Sequence, residues 1–131
     1  MAQAFTDTLI TPCNAQTLAT TATYTSTEQH RGSGTLAYDI WLYAQVAYAS
    51  APVGNKRVTV QIAPVHTSGG TAFTDGAPTY VGTVVAAQTY VFAWPIASIP
   101  ERFKVLVKND TDKSTSASGV TVKLEYVAVT V

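Results

Sequence analysis

Few residues in this 131-residue chain have the type and spacing for chemistry. Asp39 and Glu125 are the only acids well inside predicted strands, and so form the one candidate carboxylate pair for acid–base work such as glycoside hydrolysis. Such a pair also needs a pocket that separates its two protonation states, and the sequence displays none. A simpler reading pairs each acid with a lysine across the sheet, Lys104 or Lys123. His30 and His66 have no acid at a fixed short spacing, so a metal triad would have to be assembled from distant loops. Asn109-Asp110-Thr111-Asp112 gathers several oxygen ligands but lacks the spacing and terminal glutamate of a calcium hand, and reads as a solvated turn. The same loop matches a glycosylation sequon at Asn109, idle without a secretory signal. Gly32-Ser33-Gly34 and Gly69-Gly70 lie between strands with no helix after them, so neither cradles a phosphate. No catalytic residue, cofactor or metal is expected, and the chain reads as a non-enzyme.

What remains is aromatic. Trp41 and Tyr43 lie in the stretch from Leu36 to Tyr48, which alternates with period two. One face carries Leu36, Tyr38, Ile40, Leu42, Ala44 and Val46; the other carries Ala37, Asp39, Trp41, Tyr43, Gln45 and Ala47. Side chains alternate across a strand, so the first face is apolar enough to floor a core and the second is mixed. At 3.4 Å per residue the stretch spans about 44 Å, long enough to cross a small domain as its central strand. On the outer face Trp41 and Tyr43 could stack on a sugar or anchor a protein interface. A phase error of one residue would instead make them core.

Around this strand the same period recurs. Residues 5–12 read as a first strand that Pro12 ends, and residues 15–27 as a Thr-rich strand anchored by Leu18 and Tyr24. A polar loop, 28–34, leads into the central strand. Residues 57–66, with Val58, Val60 and Ile62 on one face, look like the second arm of a hairpin with it. Phe73 is expected to pin the long loop 66–78 to the core. Strands follow over 79–86 and 88–94, the latter with Tyr90, Phe92 and Trp94 on one side. Pro95 and Pro100 bracket a connection. Residues 102–109 turn Phe103, Val105 and Val107 inward and leave Leu106 among lysines as a contact candidate. In the last strand, 120–131, valines appear on both faces towards the end: Val127, Val129 and Val131 would be a sticky terminus unless buried at an interface. Eight strands with turn signals about every ten residues and no helical period predict an all-β, single-domain antiparallel β-sandwich over 1–131, an eight-stranded jelly roll, with residues 1–14 as an N-terminal arm that contacts partners.

Composition narrows the function. The apolar fraction of 47% is ordinary, but the charged fraction of 12% is about half the usual ~25%. Eight acids balance eight bases. A chain with so little charge is poorly protected against association, which points to a surface covered by other protein, in a homo-oligomer or a larger assembly. Nucleic acid is excluded for lack of a basic cluster, and no apolar run suffices for a membrane helix. The first twenty residues have neither a basic nor an apolar signal region, so no cleavable leader is expected. Cys13, the only cysteine, excludes an internal disulfide and reads as a buried structural thiol.

The order of features resembles small jelly-roll decoration (cement) and related capsid-surface proteins of tailed bacteriophages. The likeness is carried by Gly34-Thr-Leu-Ala-Tyr-Asp-Ile-Trp-Leu-Tyr-Ala-Gln45, by Arg57-Val-Thr-Val-Gln-Ile-Ala-Pro64, by His66-Thr-Ser-Gly-Gly-Thr-Ala-Phe73 and by Pro100-Glu-Arg-Phe-Lys-Val-Leu-Val-Lys-Asn-Asp-Thr111 with the strand after it. The first 33 residues are not matched. The resemblance implies a virion protein made in the bacterial host's cytoplasm, seated as a dimer or trimer on the outside of the head, bridging major capsid subunits. Its contacts would be Phe5, Leu9 and Ile10, the outer aromatics Trp41 and Tyr43, and the C-terminal Val127, Val129 and Val131, with the charged loop Glu28, His30, Arg31 as second choice. The competing expectation is a carbohydrate- or receptor-binding module of a fibre, tail or neck, using the exposed aromatics with Asp39 and Gln45.

Overall fold

A computed structural model describes residues 4–130 of the chain. Nine strands lie among them: β1 (Ala4–Gln16), β2 (Thr23–Thr25), β3 (Gln29–His30), β4 (Thr35–Ala47), β5 (Arg57–Pro64), β6 (Thr79–Thr83), β7 (Thr89–Ile96), β8 (Arg102–Asp110) and β9 (Val120–Thr130). They form two antiparallel sheets, one in the order β1-β9-β4-β7 and one in the order β2-β8-β5-β6, with β3 added to β8. The architecture is the expected all-β antiparallel sandwich. Two of the nine strands, β2 and β3, are stubs of three and two residues. They occupy the Thr-rich segment expected as one longer strand and the polar loop expected to have none.

Period-two alternation builds the core. Ile40, Leu42, Ala44 and Val46 of β4 and Val120, Val122, Leu124 and Tyr126 of β9 face Val58, Val60 and Ile62 of β5 and Phe103, Val105 and Val107 of β8, all of them buried. Each valine, leucine, isoleucine or phenylalanine side chain among them contributes about 1.5–3 kcal/mol by leaving water. Tyr90, Phe92 and Trp94 share the inner side of β7 as expected, stacked at 5.8 and 5.6 Å between ring centroids. At Gly82 of β6 a Cβ would stand 2.6 Å from the Phe92 ring, so glycine lets the two sheets close at this margin.

Several sequence expectations are corrected by non-local pairing. β4 and β5 are not a hairpin: they belong to different sheets, and the segment between them crosses from one layer to the other. Both strands bury one whole face, and each face is satisfied by the opposite layer. Pro12 does not end β1. It sits at a register shift between Ile10 and Cys13, on an edge strand, where a missing N–H is tolerated. Pro95 likewise lies inside β7, the other edge of that sheet, opposite Trp41. Phe73 does not reach the core; it is 51% exposed and its ring meets His66 edge-on at 4.7 Å. Of residues 1–14, expected as an arm, 4–14 lie within β1, which pairs with β9 from Ala4 opposite Thr130 onwards, and 1–3 lie outside the described residues.

The loop after β8 is not a solvated turn. Asn109 is fully buried, and its amide nitrogen donates to the carbonyls of Leu18, Ala19 and Lys113 at 3.3, 3.1 and 2.7 Å. Its Oδ1 accepts from the Tyr48 hydroxyl at 2.6 Å and from Thr111 Oγ1 at 2.7 Å. One side chain thus fastens two irregular segments and the end of β4 to the sandwich, and spends the amide that a glycan would need. Cys13 is buried, as expected; loss of hydration pushes its thiol up to about 11, which makes it inert.

Candidate interface on the four-stranded sheet

The phase of β4 changes once. From Ile40 to Val46 the alternation runs as read from the sequence, but Leu36 and Tyr38 point outward, 42% and 54% exposed, while Ala37 packs towards the core. The cause is a bulge. The register with β9 advances from Tyr38 opposite Val127 to Trp41 opposite Glu125, one residue more on β4 than on β9, and Asp39 sits there at φ 50°. That left-handed conformation usually goes to glycine, and aspartate is one of the few other residues that tolerates it. Asp39 Oδ1 accepts a hydrogen bond from Trp41 Nε1 at 3.3 Å, which fixes the indole beside the bulge. An inserted residue therefore moves two large apolar side chains from the inside of the sheet to the outside.

The outer face then reads in rows across β1, β9, β4 and β7. Phe5, Val129 and Leu36 form one row, and Asp7, Val127 and Tyr38 the next. Leu9, Glu125, Trp41 and Pro95 follow, then Lys123, Tyr43 and Ala93, then Thr121, Gln45 and Val91. Six of the eight residues expected at an interface meet here: Phe5, Leu9, Trp41, Tyr43, Val127 and Val129. Phe5 and Leu9 are 69% and 58% exposed. Val129 is buried without belonging to the core between the sheets, flanked in register by Phe5 and Leu36. Ile10 is corrected: it turns the other way and packs on the core. Val131 lies outside the described residues. Leu36, Tyr38 and Val91 join the face unannounced by the sequence; a lone Asp within a strand is the only sign of the bulge that turns the first two.

Charged groups on this face are mainly acidic, with Lys123 the exception. Asp7, Asp39 and Glu125 border a notch of about 270 Å³ together with Trp41, Tyr43 and Val127. The one candidate carboxylate pair is thus brought to one place, but on an open sheet surface and not in an enclosed cleft. Lys104 lies in the other sheet and pairs with neither acid. The second-choice contact loop is occupied internally: Glu28 meets Arg102 at 3.8 Å, His30 meets Glu101 at 3.4 Å, and the Arg31 guanidinium donates to the Thr35 carbonyl. Among the described residues no group of three or more His, Cys, Asp or Glu is placed to hold a metal ion, and no helix is long and apolar enough to cross a membrane.

The outer face of the five-stranded sheet is of another kind. Thr23, Lys108, Thr59 and Val81 form one of its rows, and Thr25, Leu106, Gln61 and Thr79 the next. At its margin Arg57 Nε donates to Asp110 Oδ2 at 2.6 Å, and this hydrogen bond holds the Asp110 carboxyl below the usual carboxylate range.

No protein-family model matches the chain, and no curated protein matches it. Solved structures do. A protein of Desmodium yellow mottle tymovirus is similar over 98% of this chain and 86% of its own, at 8% identity and a TM-score of 0.51. One of turnip yellow mosaic virus is similar over 98% and 80%, at 9% identity and a TM-score of 0.49. An exo-beta-1,3-galactanase of Phanerochaete chrysosporium is similar over 95% of this chain and 27% of its own, at 9% identity and a TM-score of 0.45. At such identities the likeness is one of fold: this chain has the β-sandwich that is also found in a tymovirus protein.

Proposed function

We propose that this chain is a non-enzymatic structural protein of a virion, a decoration (cement) protein of a tailed bacteriophage that docks on the major capsid protein through the outer face of its four-stranded sheet. The observation that carries the reading is the contiguous face formed by Phe5, Leu9, Leu36, Tyr38 and Trp41, exposed to water, with Tyr43 and Val127 half-buried among them, on a chain with little charge to keep it dispersed. Aromatic anchors beside aliphatic side chains are the composition of interface centres, and the Asp7, Asp39, Glu125 notch suits a basic side chain of the partner. The sandwich fold, shared with a viral protein, agrees with this role. A protein that binds only the assembled shell stabilises it by mass action, repeated over every site. The test is co-sedimentation of the chain with mature empty shells that lack it. Saturation at a fixed ratio to the capsid protein, with a higher shell melting temperature, is the expected result. No binding to shells would sink the reading.

A second reading draws on the same notch. Trp41 and Tyr43 beside three carboxylates are also the means by which a carbohydrate- or receptor-binding module holds a sugar. A glycan array run on the same preparation tests it, and a hit abolished by Trp41→Ala would move the function there.

A further inference from the structure

We propose that the first half of β1 pairs antiparallel with β1 of a second copy, joining two four-stranded sheets into one continuous sheet about a two-fold axis. The inference concerns a strand edge, and it stands apart from the docking of the face. A sheet edge is a row of unpaired N–H and C=O groups, and folded chains keep such edges from pairing by making them short, by proline, by bulges or by a covering segment. Three of the four edges here are managed in that way. β2 has three residues and β6 five. β7 contains Pro95, and the segment before it is held against it by Val85 and Ala86, whose amides donate to the Tyr90 hydroxyl at 2.9 and 2.7 Å. The second half of β1 is broken by register shifts after Ile10 and Cys13, with Pro12 between them and Ala15 at φ 50°.

The first half has none of these devices. From Phe5 to Ile10 the register with β9 is unbroken over six residues, without proline, lysine or positive φ, and Asp7 is the one charge. Phe5 and Leu9 stand highly exposed along it. An extended backbone is what satisfies such an edge, and the same strand of a second copy offers an equally open one. Two-fold pairing uses both and leaves no further edge to propagate. Alternation is respected when the outer face of one copy runs on into the outer face of the other, so the seam also doubles the apolar face. Among the registers that do this, one centred on Asp7 sets two carboxylates opposite each other. One centred on Thr8 sets Thr8 against itself and Asp7 against Leu9, and avoids that repulsion.

The test is analytical sedimentation of the full chain over a concentration series, with Asp7→Pro and Thr8→Pro made separately. Successive N–H groups point to opposite edges, so one variant loses a bond to β9 and the other loses only a free-edge donor. The wild type is expected as a concentration-dependent dimer, and the proline variant that keeps wild-type unfolding should self-associate about ten-fold more weakly or worse. Should neither proline variant fold, Leu9→Asp, which in the register centred on Thr8 sets a second carboxylate opposite Asp7 of the other copy, is expected to weaken the dimer to a similar degree. A chain monomeric at every concentration, a trimer, or a dimer that survives the folded edge variant unchanged would overturn the inference. Trp41→Ala lies away from the seam. Loss of shell binding in that variant with the dimer intact bears on the docking face alone, and loss of the dimer in the edge variants bears on the seam alone.

Discussion

The two sheets of this sandwich bury nearly identical inner faces, runs of valine, leucine and isoleucine at every second position, yet present opposite outer ones. The five-stranded sheet shows water mainly threonine, glutamine and lysine, with Leu106 half-buried in the middle and Val81 exposed on the edge strand. The four-stranded sheet shows it phenylalanine, leucine, tyrosine and tryptophan. Both arrangements satisfy the core equally, so the core does not account for the difference. A surface that folding leaves free to be polar, and that is apolar all the same, is the observation on which the proposed docking rests.

The contrast is sharpest at Val129, an outer-face residue that is nevertheless 3% exposed. Val129→Asp buries an unpaired carboxylate and should cost about 3–5 kcal/mol, whereas Thr59→Asp on the opposite face should stay within about 0.5 kcal/mol of wild type. Urea unfolding of the two variants measures the contrast. Asp39→Val keeps the extra residue but puts a β-branched side chain at a positive φ, and a loss of about 1–3 kcal/mol is expected. Deleting Asp39 takes the extra residue out, sets Tyr38 directly before Ile40 and keeps Leu36 and Tyr38 outward, so it should cost less; a lower urea midpoint for the deletion than for Asp39→Val would mean that the bulge does not set the phase.

Alternation makes most of the sandwich legible. β5, β8, β9 and β4 from Ile40 onwards are readable because each buries one face, and a slip of one residue would expose it. Sheet membership is not: nothing in Val58, Val60 and Ile62 tells whether their strand lies beside β4 or opposite it. The outer face is half legible. Trp41, Tyr43, Val127 and Val129 follow from phase, but Leu36 and Tyr38 depend on one backbone angle at Asp39, where aspartate does what a glycine would have advertised. Asn109 misleads for a related reason, since a polar side chain that satisfies buried carbonyls has the same letter as one that faces water.

Smaller effects sharpen the contrast between the faces. Tyr38→Thr with Trp41→Ala should leave the unfolding free energy within about 1–2 kcal/mol of wild type and weaken shell binding ten-fold or more, roughly the scale of an anchor pair. Lys108→Ala and Leu106→Ala, on the other face, should leave shell binding unchanged. Acid should weaken the margin of the five-stranded sheet. The hydrogen bond from Arg57, partly opposed by loss of hydration, lowers the Asp110 pKa in the folded chain. A depressed folded pKa gives stability that is present above the ordinary aspartate range and lost as pH falls through the folded value. Asp110→Asn should therefore flatten the acid limb of a stability–pH curve and leave neutral stability slightly lower; urea midpoints across that range report it.

The pairing of Ala4 with Thr130 has a mechanical consequence. A pull applied through these two ends meets neighbouring strands that enter the sheet side by side, so the β1–β9 bonds break in succession, as a zipper opens, and the sandwich yields at low force. A load spread over the flat of the four-stranded sheet meets all its strands together. The fold is thus strong across that face and weak along its own chain, and any cargo fused beyond Ala4 or Thr130 would have to ride slack.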